Sequence, residues 1–125
     1  MMVHLGMILF GYVLTACGPQ GSPQRAVESY LEAIVAKDPI RAAASACDAW
    51  EEQARAEARS FETVQVRLEG MSCVLSARHD SEAVVNCEGQ ILADYGGERR
   101  DLDLGSRRYR AVVEAGEWRM CGYRE

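Results

Sequence analysis

Thr63-Val64-Gln65-Val66-Arg67-Leu68-Glu69-Gly70-Met71-Ser72-Cys73-Val74-Leu75 is where the pattern of this 125-residue chain changes from helical to alternating. Val64, Val66 and Leu68 stand two apart with polar residues between them, the period of a strand with one buried face. Gly70 permits a bulge, and Met71, Cys73 and Leu75 then continue on one face. The segments between residue 22 and this stretch carry helical spacing, and those after it alternate between turns. The expected class is therefore α+β, with N-terminal helices packed on a curved antiparallel sheet of about four strands.

Following the chain forward, His79-Asp80-Ser81 is a polar turn and residues 83–94 return as a second strand. A hairpin centred on Asp80 sets Cys73 opposite Cys87, and cross-strand Cβ atoms about 4.5–5.5 Å apart are near what a disulfide requires. That pairing leaves Cys47 for Cys121. Tyr95-Gly96-Gly97 makes the next turn, and residues 100–113 read as one long third strand with a bulge at Gly105. On it Tyr109, Ala111 and Val113 share a face, while Arg108 and Arg110 take the wetter one. A turn at Ala115-Gly116 precedes the closing strand, residues 117–123. A two-residue loop there sets Cys121 opposite Arg110 on the solvent side. A three-residue loop, Glu114-Ala115-Gly116 with Gly116 left-handed, pairs Cys121 with Tyr109 and lets it meet Cys47 under a helix, so the longer loop is expected.

Backward from Thr63 the spacing is helical. Ser22 can cap a helix whose first position is Pro23, and Val27, Tyr30, Leu31, Ile34 and Val35 form one buried stripe along it. Asp38-Pro39 repeats the same start, with Ile40, Ala43, Ala44 and Cys47 on one face. Asp48 and Glu51 form a capping signal for a third helix over residues 49–60, whose buried side would be Trp50, Ala54, Ala58 and Phe61. The second and third helices read equally well as one bent helix.

The N-terminus carries a different signal. Residues 3–14 are mostly apolar, too few to anchor in a bilayer, and small residues follow them. Leu14-Thr15-Ala16-Cys17 resembles the lipobox of bacterial lipoproteins. The resemblance implies a signal peptide over residues 1–16, a diacylglyceryl thioether on Cys17, and a tether over residues 17–22 ahead of a single domain at 23–125. Two or three acyl chains give lasting membrane attachment where one would not. Four cysteines remain after Cys17, an even number that in an exported chain argues for two disulfides. They lack C-x-x-C spacing, and His79 is the only histidine after Cys17, so no metal site and no cofactor are expected. The net charge of −5 falls wholly beyond the signal segment and gives no reason to seek nucleic acid.

Ala26-Val27-Glu28-Ser29-Tyr30-Leu31-Glu32-Ala33, then Lys37-Asp38, and a terminal Gly116-Glu117-Trp118-Arg119 strand together resemble the nuclear-transport-factor-two-like (SnoaL-like, cystatin-like cone) superfamily, which includes the ketosteroid isomerases. The resemblance implies a sheet that wraps a long helix around an apolar hollow, used by some members for catalysis and by others for ligands or partner subunits. Tyr30, Trp50, Tyr109 and Trp118 are the candidates for lining it, with Asp48 as a further polar group, and no catalytic residue is assigned. No Gly-rich phosphate loop, G-x-S-x-G or HExxH occurs after Cys17. The expected role is a lipid-anchored, non-catalytic module for a small apolar ligand or an envelope protein. The alternative is an isomerase- or dehydratase-like enzyme acting through Tyr30, Asp48 or Tyr109, and a homodimer through the sheet is a further expectation.

Overall fold

The computed structural model describes Gly11 and residues 18–124. Apart from Gly11, the signal segment lies outside the described residues, as does Cys17. Helix α1 (Pro23–Val35) begins where the Ser22 hydroxyl accepts the Arg25 N–H at 3.2 Å, with proline in its first turn. Val27, Tyr30, Leu31 and Ile34 are buried along its inner side. Helix α2 (Pro39–Ala44) starts by the same device, Asp38 Oδ1 accepting the Arg41 N–H at 3.0 Å.

Helix α3 (Glu51–Ser60) is separate from α2, and the backbone between them shows why. The Met120 N–H donates to the Ser45 carbonyl at 2.9 Å, and the Cys47 N–H donates to the Met120 carbonyl at 2.8 Å. These groups serve a strand-like pairing and cannot serve one continuous helix. A single 3₁₀ turn (Asp48–Trp50) follows, and no side chain caps α3, so the helix starts at Glu51 and the expected Asp48 cap is not made. The Asp48 N–H goes instead to the Glu114 carboxylate at 2.9 Å.

The strands are β1 (Gln65–His79), β2 (Glu82–Tyr95), β3 (Glu98–Asp103), β4 (Arg108–Glu114) and β5 (Glu117–Arg124), all antiparallel. The sheet runs β1-β2-β4-β5, with β3 also on β2. The long third strand expected from the sequence is two strands here. Asp103 accepts the Gly105 N–H at 2.8 Å and tightens Leu104–Ser106 into a 3₁₀ turn. One stretch then pairs with the far end of β2, from Gln90 to Tyr95, and the next with its near end, from Glu82 to Val85.

The β1–β2 loop is Asp80-Ser81, with His79 opposite Glu82. A bulge between Leu75 and Ala77 takes up one residue, so Cys73 faces Cys87 as expected, and the two are joined with Cα atoms 4.1 Å apart. A second irregularity, between Glu69 and Ser72, contains Gly70 at φ +65°.

The β4–β5 turn departs from expectation. Its loop is Ala115-Gly116, two residues with φ +52° and +76°, and Val113 pairs with Trp118. Two left-handed residues suit the twist of the flanking strands better than the longer loop. The chain reaches the same disulfide by another route. Ala111 pairs with Met120 but Tyr109 with Tyr123, so Cys121 and Gly122 sit together in a bulge opposite Arg110. Cys121 meets Cys47 with Cα atoms 5.2 Å apart because residues 45–47 are paired along β5, not because a helix covers it.

Candidate functional site

Five side chains from five elements converge at one end of the cone: Tyr30 from α1, Trp50 from the 3₁₀ turn, Glu57 from α3, and Tyr109 and Tyr123 from β4 and β5. Glu57 Oε2 accepts two hydroxyls, from Tyr30 at 2.9 Å and from Tyr123 at 2.6 Å. Trp50 Nε1 donates to the Tyr30 hydroxyl at 3.1 Å, so that oxygen both gives and receives. Gly122 allows this arrangement, because a Cβ there would lie 3.3 Å from the Trp50 ring. The rings interlock edge to face, Tyr123 with Trp50 at 5.5 Å and with Tyr109 at 5.6 Å. The Tyr109 hydroxyl is satisfied separately, donating to the Leu104 carbonyl at 3.1 Å.

Beside this cluster lies a hollow of about 260 Å³. Leu31, Ile34, Phe61, Ile91 and Leu104 give it apolar walls, and Glu57, Tyr109 and Tyr123 give it a polar side. Tyr95, Leu102 and Arg107 form its exposed rim, with the Arg107 guanidinium 4.1 Å above the Tyr123 ring. A depression of the same volume on the sheet, across β1, β2 and β3, is more open, and the exposed Gln65, Arg67 and Arg99 line it beside Val66, Leu92 and Ala93.

Burial pushes the Tyr109 hydroxyl up to about 12, with nearby Arg107 pulling the other way. Burial, reinforced by the Glu57 carboxylate, holds Tyr30 and Tyr123 still further above the ordinary range. All three hydroxyls therefore stay protonated, as donors must. The sign for stability follows from the raised values. The contribution is whole below the ordinary tyrosine value near 10 and is lost as the pH climbs through 12 and beyond. A Tyr95→Phe protein beginning at Cys17 keeps only these three tyrosines; its thermal melts between these limits should fall steadily, with tyrosinate absorbance appearing only as the domain unfolds. Early tyrosinate signal from that folded protein would contradict the burial.

Glu57→Ala should cost about 2 kcal/mol in urea unfolding, since it leaves two hydroxyls without their acceptor. Glu57→Gln keeps an acceptor oxygen and should cost less. Equal costs would show that the hydroxyls find other partners.

Of the residues singled out from the sequence, Tyr109 lines the hollow, and Tyr30 and Trp50 stand behind Glu57 in the hydrogen-bonded chain. Trp118 is elsewhere. It packs with Ala83 and Ala111 in a separate apolar cluster, and the Arg78 guanidinium lies 5.1 Å over its ring. Asp48 is exposed and is not among the residues lining the hollow. Glu57, Tyr123 and Arg107 are additions from the structure. Glu57 had a signal, since it lies three residues after Ala54 and four before Phe61, on the buried side of α3. Tyr123 had none, because the bulge before it reverses the alternation of β5.

No family model and no curated protein matches the chain. Among solved structures it is similar to "Putative Scytalone Dehydratase" from Novosphingobium aromaticivorans, with a TM-score of 0.54 over 77% of this chain and 74% of that one, at 16% identity. Identity that low speaks for architecture alone. In its helices, its curled antiparallel sheet and its hollow, the chain has the α+β cone fold of nuclear-transport-factor-two-like domains.

Proposed function

We propose that this protein is a lipid-anchored extracytoplasmic module that holds a small, mainly apolar molecule in the hollow of its cone. The observation that carries the reading is the hollow itself, walled by Leu31, Ile34 and Phe61 and provided on one side with the fixed carboxylate of Glu57. An apolar cavity with a few placed polar groups is the usual form of a small-molecule site. The Tyr30 and Tyr123 protons are committed to Glu57 Oε2, which suits holding a ligand's donor group at the other oxygen. The two disulfides support an oxidising compartment, and the Leu14-Thr15-Ala16-Cys17 stretch supports the anchor.

The test is binding of the apolar fluorophore N-phenyl-1-naphthylamine, with native mass spectrometry of the purified protein for any co-purified molecule. One dye per chain is expected, with a loss of about tenfold (about 1.4 kcal/mol) in Ile34→Phe, which fills the hollow. Binding unchanged by that substitution would place the dye elsewhere and sink the reading. A second reading, an isomerase- or dehydratase-like enzyme, is favoured by the Glu57 carboxylate lining the hollow. It requires deuterium uptake from heavy water into an enolisable ketone such as cyclohexanone, present with the native protein and absent with Glu57→Gln.

A further inference from the structure

Gln20, just ahead of α1, is docked on the domain. The Gln20 N–H donates to the Gly116 carbonyl at 2.8 Å, and the Trp118 N–H donates to the Gln20 carbonyl at 3.2 Å, a parallel bridge beside the start of β5. Cys17 precedes Gln20 by three residues, and a chain extends by at most about 3.6 Å per residue. Free chain between an acylated Cys17 and the first point of docking is thus about 10 Å long.

The hollow is at the other end of the molecule, as two elements show independently. α1 leaves the docked segment at Pro23 and reaches the hollow at Leu31 and Ile34, about 12 and 17 Å along the helix at a rise of about 1.5 Å per residue. β5 starts beside Gln20 at Glu117 and reaches the hollow at Tyr123, about 20 Å at the rise of a strand. α2 returns to the docked end, where Arg119 donates to the Ala44 carbonyl at 2.6 Å. The rim residues Tyr95 and Leu102, 43% and 40% exposed, lie at the far end. Charges around Gln20 are paired with one another, Arg25 with Glu28 and Arg119 with Glu117. Orientation is therefore set by the short leash and not by a charged face.

We infer that the anchored domain stands on its Gln20 end with the hollow opening away from the bilayer, so that the ligand is a water-borne small molecule and not a lipid lifted from the membrane beneath. The inference rests on the anchoring at Cys17 proposed above. A leash of about 10 Å is too short for the domain to invert and open a rim held about 20 Å beyond its attachment onto the lipid.

The chain contains one lysine, Lys37, just past the end of α1 at the hollow end. An amine-reactive donor fluorophore there, on the full acylated protein in phosphatidylcholine vesicles carrying a headgroup acceptor, reports the height of the hollow. Arg25→Lys combined with Lys37→Arg moves the donor to the docked end, and Lys37→Arg alone gives the background from the N-terminal amine. Energy transfer from position 25 should exceed that from Lys37 by about twofold or more, as the separation of about 20 Å requires. N-phenyl-1-naphthylamine preloaded into the vesicles should pass to the anchored protein no faster than to the soluble Cys17→Ser protein at equal concentration. Equal or stronger transfer from Lys37, or a faster uptake by the anchored form, would overturn the orientation while leaving the anchor intact. Failure of the full-length protein to float with vesicles, with Cys17→Ser behaving the same, would remove the anchor and the inference with it.

Discussion

Gly89→Ala is expected to destabilise the domain by about 3 kcal/mol or more, the largest effect of any single substitution on the sheet. Gly89 has φ +105°, and a Cβ built on it would lie 2.7 Å from the Glu69 carbonyl and from the Gly70 carbonyl group. Both obstacles are backbone, so no side chain can swing away. The β1 bulge at Gly70 lies opposite this residue, and β1 can approach β2 there only because Gly89 carries no side chain. Relief requires separating the strands at the middle of the longest hairpin in the fold. At roughly 4–8 °C per kcal/mol for a domain of this size, the melting temperature should fall by about 12 °C or more. Gly97→Ala is the control. Gly97 is also left-handed, at φ +97°, but nothing lies within 4 Å of its built Cβ, so its loss should reflect the backbone angle alone, about 1 kcal/mol. Equal shifts for the two would show that strand approach at Gly89 is not what the glycine provides.

Removing the Cys47–Cys121 bridge should cost about 4 kcal/mol, and removing Cys73–Cys87 about 3 kcal/mol, because the sequence separations are 74 and 14 and the entropy released to the unfolded chain grows with the logarithm of the loop. The longer bridge has a second role in the fold. Residues 45–47 are held against the outer edge of β5 by backbone bonds to Met120, and the disulfide closes that contact one residue further on. Without it the join between α2 and α3 loses its fixed position, and Trp50, three residues along, loses the support that aims its N–H at Tyr30. Cys47→Ala with Cys121→Ala should therefore lower both the urea midpoint and the affinity for an apolar probe. Cys73→Ala with Cys87→Ala should lower the midpoint and leave the affinity near native, since the hairpin bridge is not among the residues lining the hollow. The opposite pattern would separate the edge pairing from the site.

The helix starts at Ser22-Pro23 and Asp38-Pro39, the change to alternation at Thr63 and the pairing of Cys73 with Cys87 were all legible in the residues. Each depends on interactions between near neighbours: a hydroxyl or carboxylate three residues from the N–H it accepts, side chains alternating across one strand, and two cysteines placed symmetrically about a tight turn. Such contacts leave a period or a spacing in the chain. The count of strands was less secure, because the turn at Gly105 is made by Asp103 and divides what alternation alone reads as one strand.

The site was mostly hidden. Tyr30 and Tyr109 could be named from their buried stripes, but Tyr123 comes opposite Tyr109 only because the Cys121-Gly122 bulge shifts β5 by one residue, and a slip of one turns a side chain to the other face, whereas Trp118, ahead of the bulge and opposite Val113, lies at the other end of the strand from the hollow. Glu57 is partner to two tyrosines that are 27 and 66 residues away, a distance over which no local pattern reports. Sequence by itself determined the elements, their order, the paired cysteines and the α+β class, since these follow from periodicity and from turns. Tertiary structure alone decided which side chains share the hollow and that Gln20 docks at the opposite end, because those facts depend on bulges and on backbone bonds between segments far apart in the chain.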